Sequence, residues 1–263
     1  MKNIILLCII ILAACNQGKK DAALEPDITS EEEKLKSGIK KHPDSLLLVE
    51  NLAQYYRDGG NYESALATIN AALQKDSGHA RLWDIKAILS FEKGDTLQAI
   101  HAFEKAVAIF PEPAYIISLG TLYAQTKNPL ALEMADALLI GKKANAEREA
   151  IFIKGLFYSS VGQKQKAIEL FDQAIGIDYG FMEAYREKAI ALSDQQKYME
   201  ALLVLEKAVK LNNSFEEGYY YMGLNFEKIN RVNDAIESYQ TALLYAPDFI
   251  EAKEALARLG IKN

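Results

Sequence analysis

Cysteine is almost missing from this chain. Of its 263 residues only Cys8 and Cys15 carry a thiol, and both fall within the first fifteen positions. The body therefore holds no disulfide framework and no thiolate cluster for a metal. Histidine is equally thin: His42, His79 and His101 are the three in the chain, and no two share a His-x-x-x-His spacing. A zinc site of the HExxH kind is excluded with them, and no metal is expected. Glycine and proline come to 15 and 6, too few for a collagen-like rod or a low-complexity linker. A basic surface is lacking too. The chain has 30 Lys and Arg against 36 Asp and Glu, a net charge of −6, and basic residues adjoin only in pairs such as Lys19-Lys20. Sequence-independent binding to nucleic acid needs an excess of positive charge, so no nucleic acid is expected as partner.

The familiar catalytic patterns are absent as well. There is no Gly-x-Ser-x-Gly elbow, no Gly-x-Gly-x-x-Gly turn and no phosphate-binding Gly-x-x-x-x-Gly-Lys loop. Gly59-Gly60-Asn61 is the nearest glycine cluster, and a turn between two helices explains it. Neither catalysis nor a cofactor is expected.

What is present begins at the N-terminus. Lys2 supplies a positive charge, Ile4 to Leu12 form an apolar run, and the small residues Ala13 and Ala14 lead into Cys15. The run is too short to span a bilayer but suits a secretory signal peptide. Leu12-Ala13-Ala14-Cys15 resembles the lipobox of bacterial lipoproteins. The resemblance implies removal of residues 1–14 and a lipid, palmitate included, on Cys15. Residues 15–27 then read as a polar tether, which would hold the body about 20 Å from the membrane. Asn16, directly after the cysteine, is similar to an outer-membrane sorting signal. The expected location is the bacterial cell envelope, lipid-anchored at the outer membrane.

The remainder repeats itself. Ala65, Ala99, Ala167, Ala201 and Ala235 recur at one constant interval, doubled once between Ala99 and Ala167. Ala131 supplies the missing member in an irregular copy. Four residues after each regular alanine comes a larger apolar side chain (Ile69, Phe103, Phe171, Leu205, Tyr239), and three beyond it another alanine. Those spacings share one face of a helix. Twelve residues before each leading alanine sits another small residue, at Ala53, Ala87, Gly155, Ala189 and Gly223, with Gly120 in the irregular copy. A bulkier residue stands four positions earlier still: Val49, Trp83, Ile116, Ile151, Tyr185 and Tyr219. Small residues at this spacing let two antiparallel helices approach closely, and the larger neighbours fill the space beside them.

This pattern resembles the tetratricopeptide repeat, a helix–turn–helix unit of about 34 residues. The resemblance implies an all-α fold, a right-handed superhelical solenoid of antiparallel helix pairs. Six copies cover 46–249, as 46–79, 80–112, 113–147, 148–181, 182–215 and 216–249. A capping helix over 28–42 precedes them, opened by Thr29-Ser30 with Glu32-Glu33, and a second over 250–263 follows. Lys86, Lys154 and Lys188 depart from the family, which usually has leucine there.

In the family the concave face is lined by the second, fifth, ninth and twelfth positions of each first helix. Carried over, this implies a partner-binding floor of Ile88, Phe91, Ile117, Phe152, Leu156, Ile190, Tyr220 and Leu224. Glu149, Glu183, Glu217 and Glu251 form a rim, each one repeat length from the next. An apolar floor with an acidic rim suits a protein or peptide partner with an apolar segment and basic flanks, and a second copy of the chain also qualifies. The lysines and asparagines with which some relatives clamp a terminal carboxylate are missing at the matching places, where Asp84, Ile117 and Phe152 stand. The expected function is a lipid-anchored envelope scaffold, or adaptor. The alternative is a glycan- or nutrient-capture lipoprotein on the cell surface.

Overall fold

The chain turns into its first helix at Ser30. Its hydroxyl accepts from the Glu33 amide while the Glu33 carboxylate accepts from the Ser30 amide, closing a capping box. A computed structural model describes residues 30–140 and 146–261. The expected signal peptide over 1–14, Cys15 as the expected lipidation site, the expected tether over 15–27 and Thr29 lie outside the described residues.

Among the described residues there are fourteen helices and no strand. An opening helix, α1 (Glu31–Lys41), is followed by six pairs. They are α2 (Leu46–Asp58) with α3 (Tyr62–Lys75), α4 (Ala80–Glu92) with α5 (Thr96–Ile109), and α6 (Pro113–Gln125) with α7 (Leu130–Leu139). Then come α8 (Glu147–Ser160) with α9 (Lys164–Ile177), α10 (Met182–Asp194) with α11 (Tyr198–Leu211), and α12 (Glu216–Lys228) with α13 (Val232–Tyr245). A last helix, α14 (Ile250–Arg258), ends the array. Neighbouring helices pack as antiparallel pairs, and each pair packs on the next, which makes an all-α solenoid.

The turn inside each pair needs one residue with positive φ. Gly60, Gly94 and Gly162 supply it in three pairs, while Lys127, Gln196 and Asn230 adopt it in the others at 60–62°. The second helix then starts with a side-chain cap in two pairs, where Asn61 accepts from the Ser64 amide and Asp95 from the Gln98 amide, each at 3.0 Å.

The alanines of the repeat are where the helices touch. Ala65, Ala99, Ala131, Ala167, Ala201 and Ala235 are all wholly buried, and so are Ile69, Phe171, Leu205 and Tyr239 one turn on. The departures at lysine are accommodated rather than buried. Lys154 and Lys188 reach Asp136 and Asp172 on the preceding second helices at 2.6 Å, and Lys86 lies over the Trp83 ring at 5.2 Å.

The third pair is irregular. Its second helix, α7, has 10 residues where the other second helices have 14. The first helices on either side, α6 and α8, pack directly, with Gly120 facing Ile153 so tightly that a β-carbon there would meet Ile153 Cδ1 at 3.1 Å. At the far end Ala252, Ala255 and Leu256 of α14 are buried, the last two in one cluster with Tyr239 and Phe226, closing the last repeat.

Candidate functional site

Along a curved stack the inner arc is the shorter one, so helices on the inside crowd together. Here α2 meets α4, α6 meets α8, α8 meets α10 and α10 meets α12, whereas no comparable contact joins two second helices among the described residues. The first helices therefore line the concave face.

The eight floor residues lie on these helices with unequal exposure. Phe91 is the most open at 47%. Ile88, Ile117, Phe152, Ile190, Tyr220 and Leu224 are half-buried, and Leu156 is buried at 9%. Phe152 is held by rings on both sides, with centroids 4.8 Å from Phe181 and 5.7 Å from Phe171. Tyr220 sits among Phe249, Tyr221 and Tyr239 at 5.1–5.8 Å. The face is thus a half-buried apolar surface with one projecting aromatic ring. Phe152, Leu156 and Tyr220 share their area with the core.

The rim glutamates divide into two kinds. Glu149 is bound by the Arg148 guanidinium, which also holds Asp178. Glu217 accepts from Arg186 at 2.5 Å, across from α10 to α12. Glu183 is exposed, as is Glu251, and neither has an ion pair among the described residues.

Further ion pairs, which sequence reasoning did not single out, stitch adjacent first helices together. Arg57 on α2 holds Glu92 on α4 with two nitrogens, and Arg81 lies 3.6 Å from Glu50 and 3.1 Å from Asp84. Arg258 on α14 donates to Glu227 on α12 at 2.7 Å, and the Tyr239 hydroxyl donates to the same carboxylate. Sequence separations of 31 and 35 residues carry these contacts, a register that no short-range spacing rule displays.

Two of the carboxylates sit well inside. Asp84 is 6% exposed, and burial pushes its carboxyl above the ordinary range against the opposing pull of Arg81. Burial likewise raises the carboxyl of Glu187, opposed by the Arg186 guanidinium 3.1 Å away. At the N-terminal end the concave face turns polar: a cavity of about 200 Å³ between α2 and α4 is walled by Glu50, Gln54, Arg57, Arg81 and Ile88.

Among the described residues no group of three or more His, Cys, Asp or Glu is placed to hold a metal ion. No helix among them is long and apolar enough to cross a membrane.

Comparison with known proteins agrees with this architecture. Residues 34–80, 50–114 and 149–180 match the tetratricopeptide repeat family. A TPR repeat-containing protein of Methanocaldococcus jannaschii is 24% identical over 209 residues, which is 75% of this chain and 36% of that protein. The chain thus spans about a third of that relative's length. Among solved structures, a tetratricopeptide repeat protein from Parabacteroides merdae superposes with a TM-score of 0.72 at 22% identity, covering 86% of this chain and 90% of that one. PilW, a type IV pilus biogenesis factor, superposes with a TM-score of 0.60 at 19% identity over 80% of this chain and 97% of its own. Residues 34–114 and 149–180 thus match tetratricopeptide repeats, and the fold of the described residues is an all-α tetratricopeptide solenoid.

Proposed function

We propose that this protein is a lipid-anchored scaffold of the bacterial envelope, which holds a partner protein or peptide segment on its concave face and catalyses nothing itself. One observation carries the binding surface: Phe91 stands 47% exposed on a first helix, one turn from half-buried Ile88, where a buried residue would serve stability alone. An apolar segment of the partner covers Phe91 and the floor beyond it. Glu183 and Glu251, free of internal ion pairs among the described residues, offer their charge to basic flanking residues. The anchor is Cys15, supported by the order of charge, apolar run, small residues and cysteine at the N-terminus. The outer membrane is the proposed location.

Two experiments test the two halves separately. Affinity capture from detergent-solubilised membranes compares the wild type with Phe91→Asp and with Glu183→Lys/Glu251→Lys. Loss of one partner in both variants, with helicity unchanged, is expected; identical captures remove the groove from the mechanism. Metabolic labelling with palmitate compares the wild type with Cys15→Ser. Label on the wild type and none on the variant is expected, and an unlabelled wild type refutes the anchor.

A further inference from the structure

The side chain at the fourth position of the repeat lies on the first helix and faces the helices before and after it: Val49 stands between α1 and α3, and Tyr185 between α9 and α11. That position reads Trp83, Ile116, Ile151, Tyr185 and Tyr219 in copies two to six, but Val49 in the first. The aromatic members are tightly held: Trp83 donates to the Ser77 carbonyl at 2.9 Å, Tyr185 is 2% exposed, and Tyr219 stacks on Tyr245 at 5.8 Å. Valine fills far less volume.

A second observation marks the same place. Ala106, Ala174, Ala208 and Ala242 are wholly buried, yet their counterpart in the first copy, Ala72, is only half-buried. What remains open is a cleft of about 540 Å³ between α1, α2 and α3, floored by Ile39, Leu46, Val49, Leu52 and Ala72. That volume lies within the range of small-molecule sites, roughly 300–1,000 Å³.

Charged groups ring the apolar floor. Lys36 is bound to Glu32 at 2.6 Å, and His79 lies 3.0 Å from Asp76. Lys40 on α1 and Lys75 on α3, from opposite banks, have no ion pair among the described residues, and Asp44 is the rim carboxylate in the same state. Counted over the whole lining, Lys36, Lys40 and Lys75 stand against the two carboxylates Asp44 and Asp76, on a chain whose net charge is −6.

We infer that this cleft binds a free long-chain carboxylate, its alkyl chain on the Val49 floor and its head group between Lys40 and Lys75. Each methylene taken out of water adds to the affinity, and the two ammoniums select a charged head over a neutral one. The site is independent of the concave face and of any lipid on Cys15.

The test is calorimetric titration of the full chain with laurate below its micellar concentration, with dodecanol as the neutral comparison. Saturable binding of one laurate per chain is expected, at least tenfold weaker in Val49→Trp, which restores the residue type of the second copy. Ala72→Leu fills the same space from α3 and is expected to act alike, so a folding failure of one variant leaves the other decisive. Lys40→Gln/Lys75→Gln is expected to weaken laurate several-fold and leave dodecanol unchanged. Absence of saturable binding, full affinity in a folded cleft-filling variant, or equal affinity for dodecanol overturns the assignment.

Discussion

The ring of Tyr239 lies against Gly223, so close that a β-carbon at Gly223 would fall within 3.0 Å of three ring atoms. The pair joins α12 to α13 and recurs two copies earlier, where Phe171 covers Gly155 in the same way. In both, the missing side chain is the space into which an aromatic ring packs.

Gly223→Ala is therefore expected to destabilise the chain by about 1–3 kcal/mol, since a rigid ring rather than a flexible chain end must yield. Gly176 is the control. It lies within α9 with nothing near its Cβ position, so Gly176→Ala is expected to stabilise by up to about 1 kcal/mol through helix propensity. Denaturant unfolding followed by circular dichroism gives both values, and a shift of the same sign for the two would contradict the packing account.

Arg186 serves two carboxylates, Glu187 on its own helix and Glu217 on α12, the first helix of the next pair. Arg186→Met leaves the inward-lying Glu187 without its cation and is expected to cost about 2 kcal/mol. Removing that charge as well, in Arg186→Met/Glu187→Gln, is expected to recover most of the loss. A double-mutant cycle in chemical denaturation measures the coupling, and strict additivity would show the two groups to be independent.

Asp84 makes a pH prediction of opposite sign to that of an ordinary salt-bridged carboxylate. Its folded-state pKa is raised, so between the ordinary value and the raised one the folded chain binds more protons than the unfolded chain. Stability from this group is present at acid pH and falls as pH rises through that window. Asp84→Asn keeps an acceptor for Arg81 and removes the buried charge. It is expected to melt higher than the wild type near neutrality, with the advantage shrinking towards about pH 4. A melting series across that range checks it; an advantage that grows on acidification would reverse the sign.

Phe91 and Phe152 separate surface from core on one face. Phe91→Ala is expected to leave stability within about 0.5 kcal/mol, as an exposed substitution does. Phe152→Ala, which removes a ring packed on Phe171 and Phe181, is expected to cost about 3 kcal/mol. Equal costs would mean that the face is uniformly core or uniformly surface.

The repeat was legible in the sequence because its physical basis is local. A buried alanine in every regular copy, with a large apolar residue four positions later, needs no tertiary information to be seen. Ala65 and Ile69, Ala167 and Phe171, and Ala235 and Tyr239 are wholly buried pairs. The irregular third copy also showed, through Ala131, although not the closeness of α6 and α8 that its short second helix permits. The site was less legible. Leu156 and Phe91 occupy equivalent faces, yet one is buried and the other projects, because exposure depends on how nearly the neighbouring first helix approaches. Ion pairs such as Arg186–Glu217 depend on the same inter-repeat register, which helical spacing within one copy does not contain. The cleft beside Val49 left a trace, a valine in a row otherwise of larger side chains, but its openness emerges only when α1 and α3 stand on either side.

Every substantial contact in this array runs between helices no more than two apart in the chain. Gaining or losing one whole block, such as 182–215, therefore leaves each surviving junction with a neighbour of the kind it already had. Length is then a heritable variable in its own right: reach can change by whole units through duplication or deletion, without a new fold having to be found.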